Sequence, residues 1–579
     1  MAHTTEANAG ELTAVIHEAL DVFDVVGAAA AIVHHDAVLV SDGLGVRDTD
    51  SGTAADQDTL FAIGSSTKAF TALSIAQLHE AGLLDWDKPV QHYLPDFALY
   101  DPAVGAQATP RDLATHRVGL PRHEFSWYKA PLSRAELVAR LKYLELSRPF
   151  RTTFQYQNMM YVTLGHLVER LTGNPWEAHV TDRILAPLGM SRTNLSVAVA
   201  EADPNHARPY STRDGQRIPV PFADIDAMAP AGAINSSARD LAQWMRLHLN
   251  GGAVDGAQIA SEASIRMMHT PQMVMAAEPD IDHQILAPAY GLGWFTGVYR
   301  GHRVVHHGGN IDGFTALVLL VPDESLGVAI VCNQEISPMP AAAAYAVVDR
   351  VLGLSPRDWN ADYRERYDKI VGALNQGGDF SAERVEGTAP SRPLAAFAGR
   401  YEHPAYGTLT VTHSPDGLAL NYHVWPDPLP LQHFHYDVFV LHANVGALPT
   451  SWRVPFRAGV DGVVESLEVQ FEGLVAPIVF KRKPPEMKTS REELALMEGR
   501  YLIAGLQHVT IALQGDGLHA TVEGQPPLAL VPTGDRRFGV KGLNGYSVQF
   551  DAPADRTCPG GQFVQPNGIF SFVRVEDQR

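Results

Sequence analysis

The stretch FAIGSSTKAF, residues 61–70, places Lys68 three positions after Ser65 in a segment that is otherwise small and apolar. If a helix begins here, side chains three apart share one helical face, so Ser65 faces Lys68 and Ser66 does not. A serine hydroxyl becomes nucleophilic when a base takes its proton, and burial can lower the pKa of a lysine enough for that duty. A serine at a helix start also keeps its backbone N–H free for a developing oxyanion. The stretch therefore predicts a nucleophilic serine.

The same spacing occurs again at Ser126 and Lys129 in FSWYK, so the spacing alone is weak evidence. Ser126 lies between aromatic residues in a loop-like stretch, whereas Ser65 follows Gly64 and precedes a long helical pattern of small residues. A glycine at that point lets another backbone approach closely. We therefore expect Ser65 to be the reactive serine.

Two further motifs follow along the chain. FQYQNMMYVTLG contains Tyr156 and Asn158 as Tyr-x-Asn, a pattern that occurs at only one of the 18 tyrosines. VVHHGGNIDGF places His307 and Gly309 as a basic residue, a spacer and a glycine, and the overlapping pattern that begins at His306 also fits. A glycine on a strand edge leaves room for a substrate backbone.

The order and separation of these three motifs resemble those of the serine β-lactamase and penicillin-binding peptidase superfamily. Their form is similar to the class C-like branch, peptidase family S12, which includes D-aminopeptidases, DD-peptidases and esterases. LATHRVGLP, PAGAINSSARDLAQW and YGLGWF are similar to segments of that family, and the resemblance covers roughly residues 10–350. It implies an α+β catalytic domain of the β-lactamase/transpeptidase type, an antiparallel sheet flanked by helices with a helical subdomain.

The resemblance also implies roles for the residues of the first two motifs. Ser65 would be the acylated nucleophile, and Lys68 and Tyr156 would handle its proton. Asn158 would orient Lys68 and hydrogen-bond the substrate amide.

On the strand, the resemblance implies an oxyanion hole made by the backbone N–H groups of Ser65 and Asn310, beside an open edge at Gly309. His307 is preferred to His306 because Gly309 is then followed by a family-like Gly-Phe pair in NIDGF. Class C β-lactamases and DD-peptidases usually have Lys-Thr-Gly here. A histidine is mostly neutral near pH 7, so we expect less affinity for a β-lactam or a C-terminal carboxylate.

Three functions are consistent with the sequence. The first is a serine peptidase or amidase of the S12 type, an aminopeptidase or an enzyme specific for D-residues, acting through an acyl-enzyme at Ser65. The second keeps the chemistry but changes the substrate, as an esterase, a transesterase or a weak β-lactamase. The third is a binding protein that retains the pocket without turnover. The expected substrate is a small peptide, amide or ester.

The composition of the chain excludes some classes of binding partner. The chain has 579 residues, 45% of them hydrophobic, with a formal net charge of -20. This charge argues against nucleic acid and against an anionic membrane surface, which both bind clustered Lys and Arg. The start of the chain does not resemble a signal peptide, and no apolar run approaches the roughly 18 residues that a membrane span needs. We therefore expect a cytoplasmic protein, and a homo-oligomer is left open.

Neither a cofactor nor a metal is expected. The histidines of HHD at 34–36, of HFH at 433–435 and at 306–307 could each be considered as metal ligands. They lack the HExxH or cysteine-spaced patterns that make a zinc assignment specific.

Strand-like runs at both ends of the first 360 residues, with helices between them, predict one sheet assembled from both ends. We place a catalytic domain at 1–360, a helix and linker at 361–389, and β-barrel domains at 390–485 and 486–579. The last two repeat each other, since Gly-Arg-Tyr and Asp-Gly-Leu recur at an offset of 100 residues. The tail resembles the lipocalin-like barrels of D-aminopeptidases, which can reach the catalytic cleft, and a stabilising or oligomerising module is the alternative.

Overall fold

The computed structural model describes residues 8–213, 215–276, 285–376, 380–445, 448–460, 462–483, 490–534, 536–543, 545–554 and 556–575. The chain divides into two compact units. One comprises Met1–Asp379, Ala443–Ser451 and Phe471–Ala476, and the other comprises Phe380–His442, Trp452–Gln470 and Pro477–Arg579. The first unit holds every site residue that the sequence predicts.

Helices dominate the middle of the first unit, as the sequence pattern predicts. Ser237 shows why SSARDLAQW starts one of them, because its side chain accepts a hydrogen bond from the Asp240 N–H. No helix among the described residues has both the length and the apolar character that a membrane crossing needs. The α-helices within those residues are α1 Ala9–Val22, α2 Thr67–Glu80, α3 Pro102–Gln107, α4 Pro110–Ala114, α5 Arg134–Arg140, α6 Asn158–Thr172, α7 Trp176–Val180, α8 Ala186–Leu188, α9 Val197–Ala202, α10 Ala229–Gly232, α11 Ala238–Leu249, α12 Glu262–Met268, α13 Met339–Val351, α14 Trp359–Gln376 and α15 Arg491–Ala495.

Strands lie at both ends of the first 360 residues, with short pairs in between. They are β1 Gly27–His34, β2 Ala37–Asp48, β3 Thr53–Ala54, β4 Phe61–Ala62, β5 Tyr210–Arg213, β6 Gln216–Pro219, β7 Asn235–Ser236, β8 Ala253–Val254, β9 Ala257–Gln258, β10 Met273–Val274, β11 Ile285–Tyr290, β12 Phe295–Tyr299, β13 His302–Ile311, β14 Phe314–Val321 and β15 Leu326–Cys332. Nine of the described strands form one sheet in the order β10-β11-β12-β13-β14-β15-β1-β2-β3.

The centre of this sheet joins the two ends of the first 360 residues, as predicted. β1 pairs antiparallel with β15, and Ala28 lies opposite Cys332. Helices α1 and α13 pack on one face of these strands, and α11 packs on the other. Strands buried on both faces need apolar side chains throughout, which explains the runs AAAAIV and LGVAIVC.

Two closed eight-stranded antiparallel barrels follow within the described residues. The first comprises β16 Gly399–His403, β17 Gly407–Ser414, β18 Gly417–Asn421, β19 Leu429–His435, β20 Val438–Val445, β21 Leu448–Ala458, β22 Val464–Val469 and β23 Ile478–Arg482. The second comprises β24 Gly499–Ile503, β25 Gln507–Gln514, β26 Gly517–Val522, β27 Leu528–Gly534, β28 Arg537–Val540, β29 Ser547–Phe550, β30 Gly560–Gln565 and β31 Gly568–Val575. Together with the sheet and its helices, the barrels confirm the predicted fold class.

The offset of 100 residues has a structural cause in the first strand of each barrel. Tyr401 of β16 is fully buried, and its hydroxyl donates a hydrogen bond to the Phe397 carbonyl at 2.7 Å. Tyr501 of β24 is buried in the same way and donates to the Met497 carbonyl at 2.8 Å. The repeated Gly-Arg-Tyr therefore marks a tyrosine that ties the first strand to the residues before it.

Tyr401→Phe and Tyr501→Phe should each destabilise the barrel concerned, because each change leaves a buried carbonyl oxygen without its donor. We expect the free energy of unfolding of the affected transition to fall by about 1 kcal/mol in urea titrations. Tyr436→Phe is the matched control, since Tyr436 is 56% exposed. Equal unfolding midpoints for Tyr401→Phe and this control would contradict the explanation of the repeat.

Candidate active site

Ser65 lies in a 3-10 turn, Gly64–Ser66, that leads directly into α2. Lys68 is fully buried one turn further on, and its Nζ is 3.0 Å from Ser65 Oγ. Ser66 points elsewhere and donates to the His307 carbonyl at 3.0 Å, which ties the turn to β13. The structure thus brings together the serine and the lysine that the spacing predicts, and it gives the neighbouring serine a structural contact.

The Lys68 amine has two further partners, and both are acceptors. Its Nζ donates to Asn158 Oδ1 at 2.8 Å and to the Ala231 carbonyl at 2.8 Å. A neutral amine carries two N–H bonds and one lone pair. When both N–H bonds are directed at these acceptors, the lone pair faces the Ser65 hydroxyl, which is the geometry of a general base.

The surroundings favour the neutral form of this amine. Burial lowers the pKa of Lys68 well below its ordinary value of 10.5, and the charge of Arg122 lowers it further. Glu124 acts in the opposite direction, as a nearby negative charge favours the ammonium. Arg122 Nε lies 2.9 Å from Glu124 Oε1.

Tyr156 approaches Ser65 from the segment that precedes α6. The Tyr156 ring centroid lies 4.8 Å from Lys68 Nζ, and the Ser65 side chain is close enough to lower the pKa of the phenol. Burial raises the pKa of Tyr156 more than the Ser65 side chain lowers it. The phenol therefore keeps its proton near neutral pH.

The start of α6 fixes the second motif. Asn158 is the first residue of α6, and Gln157 caps the helix by accepting from the Met159 N–H at 2.8 Å. The Gln157 N–H donates to His116 Nδ1 at 3.0 Å. His116 is fully buried, and its ring centroid lies 4.5 Å from that of Tyr156. Cap and histidine together hold the backbone between the tyrosine and the asparagine.

Strand β13 approaches the serine turn so closely that only glycine fits. A Cβ on Gly309 would lie 1.9 Å from the Ile63 carbonyl oxygen and 2.9 Å from Ser65 N. A Cβ on Gly64, whose φ is +49°, would lie 2.9 Å from Asn310 N. The amide nitrogens of Ser65 and Asn310 therefore belong to two backbone segments in direct contact.

His307 is 1% exposed, and both of its ring nitrogens have partners. Nδ1 is 2.6 Å from the Gly308 carbonyl oxygen and Nε2 is 3.0 Å from Tyr290 Oη. Because a carbonyl only accepts, we assign the proton to Nδ1, and the Tyr290 hydroxyl donates to Nε2. Burial lowers the pKa of His307 to about 3, so the ring is neutral. The alternative candidate, His306, instead stacks its ring on Phe295.

The second Ser-x-x-Lys match is not a serine–lysine pair. Ser126 Oγ donates to the His123 carbonyl at 2.7 Å. Lys129 forms an ion pair with Asp312, with Nζ 3.4 Å from Oδ2. Residues 124–126 form a 3-10 turn that ends before the lysine, so the helical face needed to align the two side chains does not exist.

Histidines that could be considered as metal ligands have other contacts. His34 and His35 lie against each other with ring centroids 4.0 Å apart, and His433 Nε2 is 2.9 Å from the Tyr436 carbonyl oxygen. Among the residues that the structure describes, no group of three or more His, Cys, Asp or Glu is placed to hold a metal ion.

Sequence reasoning missed several contacts of the site. The Ala231 carbonyl and His116 lie in PAGAINSS and LATHRVGLP, so the family-like stretches marked their segments without indicating their atoms. No motif or spacing in the sequence marks Arg122 or Glu124 as residues of the site. The path of one loop places Arg122 over the Tyr156 ring and Glu124 against Asn158, and the sequence pattern does not predict that path.

A segment between β22 and β23 also belongs to the unit that holds the site. This segment is Phe471–Ala476. Its Glu472 accepts a hydrogen bond from the His123 N–H at 2.9 Å, and the Phe471 ring stacks on Phe125 with centroids 4.5 Å apart. The segment therefore contacts the loop beside the site.

Comparison with known families covers most of the chain. The family described as Beta-lactamase matches residues 12–352. A domain of unknown function (DUF3471) matches residues 383–482, which include the strands of the first barrel.

Relatives and solved structures agree with this match. The Unguisins hydrolase ungD of Aspergillus violaceofuscus is 31% identical over 509 residues, covering 80% of this chain and 88% of that protein. Protein flp of Staphylococcus aureus is 24% identical over 373 residues, covering 64% of this chain and 70% of that protein. The octameric penicillin-binding protein homologue from Pyrococcus abyssi has a TM-score of 0.54 and 22% identity, and the likeness covers 82% of this chain and 100% of that chain.

The likeness to the Pyrococcus abyssi structure shows the fold alone. The family match and the 31% identical relative also show which family the chain belongs to. The matched residues include the serine turn, the start of α6 and strand β13. The chain belongs to the β-lactamase family, within the serine hydrolase superfamily that also contains the penicillin-binding proteins.

Proposed function

We propose that this protein is a serine peptidase or amidase that forms an acyl-enzyme at Ser65. The observation that carries the proposal is the buried Lys68 amine, whose Nζ lies 3.0 Å from Ser65 Oγ and whose N–H bonds have other acceptors. The relative named Unguisins hydrolase supports the hydrolase class.

In acylation, Ser65 Oγ attacks the substrate carbonyl carbon while its proton moves to Lys68 Nζ. The new C–O bond gives a tetrahedral oxyanion. The C–N bond then breaks, and the leaving nitrogen takes a proton from the Tyr156 phenol, which recovers one from the Lys68 ammonium. The amine product leaves, and Ser65 carries an ester.

Deacylation repeats these transfers with water. Water attacks the ester carbonyl as its proton passes to the same base, the C–O bond to Ser65 breaks, and Ser65 Oγ regains its proton. The acid product leaves, and the protein returns to its starting state.

Backbone amides would stabilise the negative charge of the tetrahedral oxyanion. We assign the oxyanion hole to the N–H groups of Ser65 and Asn310, since the segments that carry them are in contact. The missing side chain of Gly309 lets β13 reach the serine turn, and we assign the edge of β13 beside it to the substrate backbone. Asn158 Nδ2 has a second hydrogen beyond the one directed at Glu124, and we assign it to the substrate carbonyl.

The neutral His307 ring bears on the substrate class. The lysine that class C β-lactamases and DD-peptidases usually have here supplies a positive charge for a substrate carboxylate, and His307 carries none because burial lowers its pKa to about 3. This favours peptide or amide substrates that are not anchored by a carboxylate there, including those with D-residues or an unusual N-terminus.

A fluorophosphonate should react with the folded protein at Ser65, because the neutral Lys68 amine activates that hydroxyl. Mass spectrometry of the digested protein should locate the adduct on Ser65, and Ser65→Ala should lose it. Ser126→Ala is the matched control and should still carry the adduct on Ser65. Folded protein with no adduct at Ser65 would rule out the proposal.

Gly309→Ala should lower kcat about a hundredfold or more, because its Cβ would push Ser65 away from Asn310. Gly308→Ala is the matched control, since its Cβ would meet the Ala316 carbonyl oxygen at an ordinary 3.5 Å. Steady-state kinetics of both variants check this expectation. Similar losses in the two would show that the close approach of β13 does not matter for catalysis.

Among test substrates, a D-alanyl anilide should be hydrolysed faster than a chromogenic cephalosporin, because His307 offers no charge for the cephalosporin carboxylate. Initial rates measured side by side, with a short-chain nitrophenyl ester included, decide the substrate class. An ester rate far above the amide rate would favour an esterase, and a dominant cephalosporin rate would contradict the argument from His307.

A further inference from the structure

Glu124 lies at the edge of the site and transfers no proton in the proposed reaction. Its side chain is 32% exposed. Its Oε1 accepts hydrogen bonds from Arg122 Nε at 2.9 Å and from Asn158 Nδ2 at 3.3 Å. Glu124 thus contacts the asparagine that contacts Lys68.

The Asn158 amide can present either of two ends to the lysine. With Oδ1 toward Lys68, the amide accepts an N–H bond and the amine keeps its lone pair for Ser65. With the amide turned over, Nδ2 would face the amine, and the lone pair would be used to accept from it. Ser65 would then lose its base.

Glu124 distinguishes these two orientations. A carboxylate only accepts hydrogen bonds, so it favours Nδ2 on its own side and leaves Oδ1 for Lys68. We propose that Glu124 is a positioning residue, which holds the Asn158 amide in the orientation that leaves the Lys68 lone pair facing Ser65. This inference rests on the proposed serine hydrolase function.

The loop that carries Glu124 is held from several sides. His123 has a φ of +47°, a conformation that is strained for a residue other than glycine. Its N–H donates to Glu472 at 2.9 Å, and the ring of the next apolar residue, Phe125, stacks on Phe471. The segment Phe471–Ala476 therefore helps to keep Glu124 beside Asn158.

The charges around Lys68 affect its pKa, so the inference predicts how the reactivity of Ser65 should vary with pH. The titratable and charged groups that face Lys68 are Arg122, Glu124, Tyr156, Tyr161, His116 and His307. Burial keeps the phenols protonated and the imidazoles neutral near pH 7. Burial raises the pKa of Glu124, and Arg122, which donates to it at 2.9 Å, opposes that rise and favours the carboxylate. As a carboxylate Glu124 raises the pKa of Lys68, whereas Arg122 lowers it.

Glu124→Ala should slow the labelling of Ser65 by a fluorophosphonate about ten- to hundredfold, the loss expected for a hydrogen bond to a charged group. Glu124→Gln keeps an oxygen acceptor for Asn158, so it should lose less than about fivefold. The labelling rate, measured from pH 5 to 10 in about half-unit steps, should rise as Lys68 loses its proton. Its inflection should move to lower pH in Glu124→Gln and to higher pH in Arg122→Gln.

Glu201→Gln is the matched control, because Glu201 is exposed, and it should change neither rate nor inflection. If Glu124 served only as the ion-pair partner of Arg122, Glu124→Ala and Glu124→Gln would lower the melting temperature alike and leave labelling unchanged, which would overturn the inference. Failure of the proposed function would look different, since wild-type protein would then carry no adduct at Ser65.

Discussion

The burial of the Lys68 amine is the constraint on which the rest of the site depends. A charge away from water is costly, so burial lowers the pKa of the amine well below its ordinary value and favours the neutral form. The neutral amine still needs acceptors for two N–H bonds, and it finds them at Asn158 on α6 and Ala231 on α10. The lone pair of the amine then faces Ser65, which lies on the turn before α2. The proposed base therefore depends on the packing of these elements.

A second constraint is the contact between backbones. Strand β13 meets the serine turn at Gly309 and Gly64, where no side chain fits on either. The Ser66 hydroxyl adds a hydrogen bond to the carbonyl of His307. The large sheet positions β13, and helices that pack around the turn position the serine, so the proposed oxyanion hole joins the two parts of the catalytic fold.

The two barrels share one structural feature. In each, a buried tyrosine ties the first strand to the residues before it. The segment Phe471–Ala476 adds a different contact, because it touches His123 and Phe125 on either side of Glu124. Through these contacts the segment would influence catalysis by fixing the shape of the loop, which in turn sets where the Glu124 carboxylate lies.

The sequence by itself determined the fold class and brought Ser65, Lys68, Tyr156 and Asn158 into one hypothesis, because helical spacing and family-like order depend on local pattern. It could not separate the two Ser-x-x-Lys matches by spacing, as only the structure shows that no helix joins Ser126 to Lys129. The tertiary structure alone decided that the Ala231 carbonyl takes a lysine N–H, that His307 is buried and neutral, and that Glu124 reaches Asn158. Those contacts join residues far apart in the chain, and burial, which sets their charges, arises only when the elements pack.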